Sequence, residues 1–200
     1  MAGGLAEVGA ERPRRPEIRV ESDWMPTAAM RQAGPMAENP VIDSPMRDQF
    51  EAFIDQHRKA LRRCLDGLTE EQARRSLVPS RTTLLGLVKH ATFVEKVWFD
   101  EAVTARSRAE IGIPATPDES FILADGDTVE SVRRAHREAC AAARRATASL
   151  GLDDLLPGNR RGPLPLRWVY LHVLRELAQH CGHADILREQ ILAQDGVPSE

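Results

Sequence analysis

Aromatic residues are scarce, at 4% of 200 positions. Leu, Val and Ala must therefore fill the interior, and a sheet, which favours aromatic and β-branched residues, is disfavoured. Lysine occurs only at Lys59, Lys89 and Lys96, and the net charge is -3. A nucleic-acid partner needs concentrated positive charge, and that class is excluded. No run of 18 apolar residues exists, so no membrane-spanning helix is expected. The N-terminus has no apolar stretch of secretory type, and its acidic residues Glu7, Glu11, Glu17 and Glu21 argue against a transit peptide. Cysteines are three, Cys64, Cys140 and Cys181, odd in number and widely spaced. They form no disulfide framework and suit a reducing compartment, with the cytoplasm as the expected location.

What is present is helical periodicity. Residues 1–43 stand apart: Pro13, Pro16, Pro26, Pro35 and Pro40 interrupt them and no apolar period runs through them. They are expected to be a disordered or loosely packed tail, with Trp24 as the residue able to dock and Met46 as an alternative start. From 44 to 196 the pattern predicts an all-α domain. Ser44 and Pro45 open a first helix whose stripe is Phe50, Phe53, Ile54, His57, Leu61, Cys64, Leu65 and Leu68. Thr69-Glu70-Glu71-Gln72 reads as a capping box for a short helix over 69–76. A second long helix is expected over 82–105, and residues 106–126 read as irregular. Asp127 with Glu130 is expected to cap a third helix, and a fourth runs over 165–194. Four amphipathic helices without a credible strand make a four-helix bundle. The linker of about twenty residues between helices two and three exceeds what a bundle turn needs, so it is read as a crossover that leaves those two helices parallel.

The chemistry concentrates on helix four, where His172, Glu176 and His180 follow at intervals of four and His183 three further on. Residues four apart share a face and lie about 6 Å apart along the axis, so two such side chains can converge on one ion. A carboxylate and imidazoles on a core-facing stripe are costly unless paired or metal-bound. This donor set suits a divalent transition metal, zinc first, then Ni, Fe or Mn, rather than Ca or Mg. The alternative is a buried, hydrogen-bonded polar cluster without metal. A third ligand would come from a facing helix, and His90 lies in the middle of helix two on its apolar face. His183 is a second candidate in place of Glu176. His172 is placed to hydrogen-bond Glu176, and Arg167 and Arg175 are candidates for holding an acidic cosubstrate. His57 and His136 read as packed residues and the cysteines as core.

Three segments carry a resemblance. Thr83-Leu-Leu-Gly-Leu-Val-Lys-His90 with Trp98-Phe99, Leu166-Arg-Trp-Val-Tyr-Leu-His172, and Glu176-Leu-Ala-Gln-His180-Cys-Gly-His183 resemble the DinB-like superfamily. Within it they are most similar to the actinobacterial branch related to mycothiol-dependent maleylpyruvate isomerase. The likeness covers about residues 46–194. It implies a DinB-like four-helix bundle in which His90, Glu176 and His180 bind the metal and His172 and His183 stand at or behind the pocket. It also implies a small thiol such as mycothiol as cosubstrate, an electrophilic small molecule as substrate, and a homodimer. The reaction expected from this is thiol transfer or isomerisation. The ligand set equally admits Fe(II) oxygenase or hydrolase chemistry, and a non-enzymatic, stress-related dimeric bundle is the third reading.

Overall fold

The computed structural model describes residues 41–196; Trp24 and all but the last three residues of the expected tail, 1–43, lie outside that range. Helix α1 spans Met46–Arg63 and α2 spans Glu70–Arg74. Helix α3 spans Leu84–Lys96 and runs on through a π-helical turn at Val97–Glu101 into α4, Ala102–Thr104. Helix α5 is Arg108–Ile111, a 3-10 turn follows at Asp118–Phe121, α6 is Val129–Thr147 and α7 is Leu166–Gln194. The long helices α1, α3, α6 and α7 form the expected all-α bundle.

Their directions follow from which residues meet. Arg62 meets His136 while Asp55 meets Arg144, so α1 and α6 are antiparallel. Trp98 meets Trp168 while His90 meets His180, so α3 and α7 are antiparallel. Tyr170 meets Glu51 while Arg188 meets Cys64, so α1 and α7 are parallel. The order is up-down-down-up, and α3 and α6 run parallel, as the long crossover requires.

Helix α3 lies innermost. Its residues Leu84 to Val88, His90, Ala91 and Phe93 to Glu95 are all buried, against α1, α6 and α7. Arginines close the helix ends around it. Arg133 of α6 and Arg188 of α7 donate to the carbonyls at the C-terminal end of α1, Arg62 (2.7 Å) and Cys64 (2.9 Å), where the helix supplies few donors of its own. The crossover is tied down by Lys89, which donates to the Ile122 carbonyl at 2.8 Å and pairs with Asp127 at 2.6 Å. Glu70 accepts from the first backbone N–H of α6, at Val129, where a carboxylate is favoured by the helix dipole.

Several local expectations change. Thr128, not Asp127, caps α6, in a box with Ser131 rather than Glu130; Asp127 is drawn instead to Lys89 and the Ala124 N–H. Pro45 occupies the cap of α1, and the Ser44 hydroxyl turns back to the Val41 carbonyl. Phe53 is 46% exposed, and Arg58 takes an interior place on that helix. The region read as irregular holds α5 and the 3-10 turn. The loop before α7 contains a two-residue antiparallel ladder, Leu155–Leu156 against Leu164–Pro165, where no strand was expected. Helix two is not uniform: a π turn interrupts it, and Ala105 ends it in the left-handed conformation.

Candidate functional site

Antiparallel packing of α3 on α7 brings His90 opposite His180, their ring centroids 4.7 Å apart and their planes at 81°. Glu176, one turn before His180, completes the group. His90, Glu176 and His180 each offer one ligand atom, and these atoms lie within 4.8 Å of one another. The two helices thus place the three residues that the resemblance singles out around one point.

The hydrogen bonding is unbalanced there. Both ring nitrogens of His180 are buried and find no hydrogen-bond partner among the described residues, its Nε2 standing 3.8 Å from Glu176 Oε2. An orphaned buried polar group costs about 1–3 kcal/mol, so a bound ion or water is the natural partner for these nitrogens. The other carboxylate oxygen, Oε1, faces outward, accepting from Arg175 at 3.0 Å with His172 Nε2 at 3.6 Å. His90 is engaged at Nδ1 only, 2.6 Å from the Ser120 hydroxyl. Burial, with a smaller contribution from His180, pushes the His90 imidazole down to about 3, so it is neutral at pH 7 and keeps a lone pair. Burial lowers His180 and His172 as well, each partly opposed by the Glu176 carboxylate.

Around these groups the walls are aromatic. Phe121, from the crossover, stacks on His90 with centroids 4.1 Å apart and planes 12° apart. His172 stacks on Trp168 at 5.0 Å and packs against Trp98 of the π turn at 4.2 Å. His183 is exposed, its ring 5.9 Å from that of His180, outside the group of three. Arg167 pairs with Asp153 and Arg175 with Glu176, which occupies both candidate anion holders. Ser120 and Phe121 were not singled out from sequence. The linker's length was the only sign that it had the reach to enter the site, and nothing in its irregular pattern picks out two residues.

Among the described residues a second group, Glu95, His136 and Cys140, all buried, also brings its ligand atoms within 4.8 Å of one another. Its chemistry differs. Arg58 donates twice to Glu95, at 2.8 and 2.6 Å, and Arg62 donates to His136 Nδ1 at 3.2 Å. The second ring nitrogen, Nε2, faces the Cys140 sulfur at 3.6 Å. Two guanidiniums already neutralise this cluster and satisfy its acceptors, and they would repel a dication. The group at His90 has open donor atoms and no interior cation, which is what a metal ligand set requires. A cavity of about 380 Å³ lies between α3, α6 and the crossover; its walls include Ser120, Lys89 and Phe93 but neither Glu176 nor His180.

Burial disfavours the thiolate form of all three cysteines. Burial pushes Cys64 and Cys140 up to about 12 and Cys181 up to about 11, far from the range of a reactive thiolate. Cys181 turns toward the His57 carbonyl on α1, away from His180.

A search of curated proteins finds no match. Residues 49–193 match the family model described as mycothiol S-transferase, a span that includes the four long helices' packed parts and all three residues of the cluster, and the chain belongs to this DinB-like family.

Proposed function

We propose that the protein is a metal-dependent transferase or isomerase that joins a low-molecular-weight thiol of mycothiol type to a small electrophile. The observation that carries this reading is His180, buried with both nitrogens unpaired and facing Glu176 and His90, inside a mycothiol S-transferase domain. The donor set fits a divalent transition ion, zinc first. Bound there, such an ion would supply Lewis acidity that favours the thiolate over the thiol.

The chain's own residues do the rest. Burial keeps His90 neutral, so its lone pair is available at physiological pH. Glu176 offsets part of the ion's charge. Trp98, Trp168 and Phe121 exclude water and lower the local dielectric, which strengthens charge interactions inside. In transfer, a C–S bond forms between the cosubstrate's sulfur and the electrophilic carbon, the leaving group departs with its bonding pair, and the thiol proton passes to solvent. In isomerisation the same sulfur adds and is later expelled. Because burial holds the protein's own thiols in the protonated form, the sulfur comes from outside. Free cysteines also fit a reducing compartment, the cytoplasm. Among the described residues no helix is long and apolar enough to cross a membrane.

Metal content measured by mass spectrometry on untagged protein, beside Glu176→Ala and His90→Ala, tests the centre. About one divalent ion per chain, absent from both variants, is expected, together with metal-dependent loss of mycothiol in the presence of an alkylating electrophile. Iron with thiol-independent O₂ uptake would replace this reading by oxygenase chemistry. No metal after incubation with zinc or nickel would overturn the metal-dependent reading.

A further inference from the structure

We infer that the crossover segment belongs to the working centre: Ser120 fixes the tautomer of His90, so that Nδ1 carries the proton and Nε2 is left bare toward the ligand pair. The inference rests on the metal-centre reading above, and it assigns a positioning role to a residue outside the helices that carry the ligands.

A count of protons gives the direction. The Ser120 hydroxyl sits against the carbonyl of Pro117. A carbonyl has no hydrogen to give, so the hydroxyl proton lies between those two oxygens, and a hydroxyl has only one. Toward His90, Ser120 therefore presents lone pairs. The 2.6 Å contact with Nδ1 is a hydrogen bond only when Nδ1 donates. Ser120 is 1% exposed and His90 5%, which leaves little room for water to offer another arrangement. In a neutral imidazole one nitrogen donates and the other accepts, so Nε2 carries the free pair. Free histidine prefers the opposite tautomer, and the hydroxyl reverses that preference.

The rest of the turn holds the ring as a clamp does. Phe121, the next residue, lies flat on the imidazole. Gly86, one helical turn before His90, makes this approach possible: a methyl group there would stand 3.1 Å from the Phe121 carbonyl and 3.0 Å from Thr83 Oγ1. A crossover needs only to span the bundle. This one is seated on the helix that carries His90, with one side chain on the ring's edge and the next on its face. Such partners orient a ligating histidine and raise its basicity, and their loss commonly lowers metal affinity about 10–100-fold.

The test reads the tautomer directly. Full-length protein labelled with ¹⁵N and freed of metal by chelation is examined by long-range ¹H–¹⁵N correlation, with His90 assigned by its loss in His90→Gln. Wild type is expected to show a protonated Nδ1 and a bare Nε2. Ser120→Ala is expected to shift the balance toward protonated Nε2 and to bind zinc about 10–100-fold more weakly in a calorimetric titration, with Ser120→Thr returning toward wild type in both. A protonated Nε2 in the wild type, or an unchanged tautomer in Ser120→Ala, overturns the inference, and the wild-type spectrum decides even if the variant does not fold. Should the tautomer be as expected while wild type fails to bind zinc, the metal reading falls and the tautomer assignment stands.

Discussion

Arg58 of α1 and Glu95 of α3 face each other in the interior through two hydrogen bonds of 2.8 and 2.6 Å, at 4% and 1% exposure. Arg58 also pairs with Asp55 at 2.9 Å, whereas Glu95 has no cation other than Arg58 beside it among the described residues and depends on that pair. Arg58→Met should destabilise the fold by about 3–5 kcal/mol, because it strands a carboxylate in a medium of low dielectric. The double variant Arg58→Met/Glu95→Leu should recover most of that loss, since two apolar groups of similar size need no pairing. Urea unfolding of the four proteins in the cycle gives the coupling; additive losses would show that the pair is not energetically linked.

Stability should fall with acid through His136. Its ring is fully buried, and burial, with the charges of Arg62 and Arg58, pushes it down to about 3. The unfolded chain takes up this proton near pH 6.5 and the native protein does not, so the contribution is complete above about pH 6.5 and drains away as pH falls toward 3. The slope is at most about 1.4 kcal/mol per pH unit. Metal-free protein titrated from pH 7.5 to 5 should lose stability faster in wild type than in His136→Gln. Parallel curves would mean that His136 takes up its proton at the same pH in the native and unfolded states.

Zinc at about 100 times its dissociation constant should stabilise wild type by about 2.7 kcal/mol. For a chain of this size that is a rise in melting temperature of about 5–10 °C. Glu176→Ala should show no such rise. In the chelated state His180→Leu should be more stable than wild type by about 1–2 kcal/mol, since it removes the orphaned ring nitrogens. A His180→Leu protein that is less stable without metal would show that His180 has a structural partner after all.

Gly158 packs against the end of the π turn. Its N–H donates to the Ala102 carbonyl at 2.9 Å, and an added methyl would come within 1.8 Å of the Glu101 carbonyl oxygen. Both neighbours are backbone and cannot swing aside. Gly158→Ala should cost about 3 kcal/mol or more, at or above the top of the usual range for overpacking. Thermal unfolding monitored by circular dichroism measures it; a change below about 1 kcal/mol would show that the loop moves freely off the turn.

The three cysteines should resist alkylation while the protein is folded. At pH 8 iodoacetamide is expected to label none of them within minutes, and all three after denaturation, as intact mass would report. Rapid labelling of Cys181, the least buried of the three, would reopen the case for an internal sulfur nucleophile.

The long helices and the all-α class were legible from residue spacing alone. Helical spacing of Ile54, Leu61 and Leu65, or of Val169, Val173 and Leu177, encodes one buried face per helix, and local rules sufficed for the capping box at Thr69 and Gln72. The i, i+4 pair of Glu176 and His180 was equally legible, because a helix fixes that geometry whatever surrounds it. Local rules failed where long-range partners outbid them: Asp127 left its capping role for Lys89, and Phe53 gave up its place on the stripe while Arg58 turned inward to reach Glu95. Packing between helices closes His136, despite its own Glu and Cys neighbours, with two arginines, and leaves His180 open. Packing likewise sets Ser120 on His90, thirty positions apart in a segment without periodicity. Periodic patterns record what a helix buries; the identity of a partner across a crossover depends on packing that no local pattern encodes.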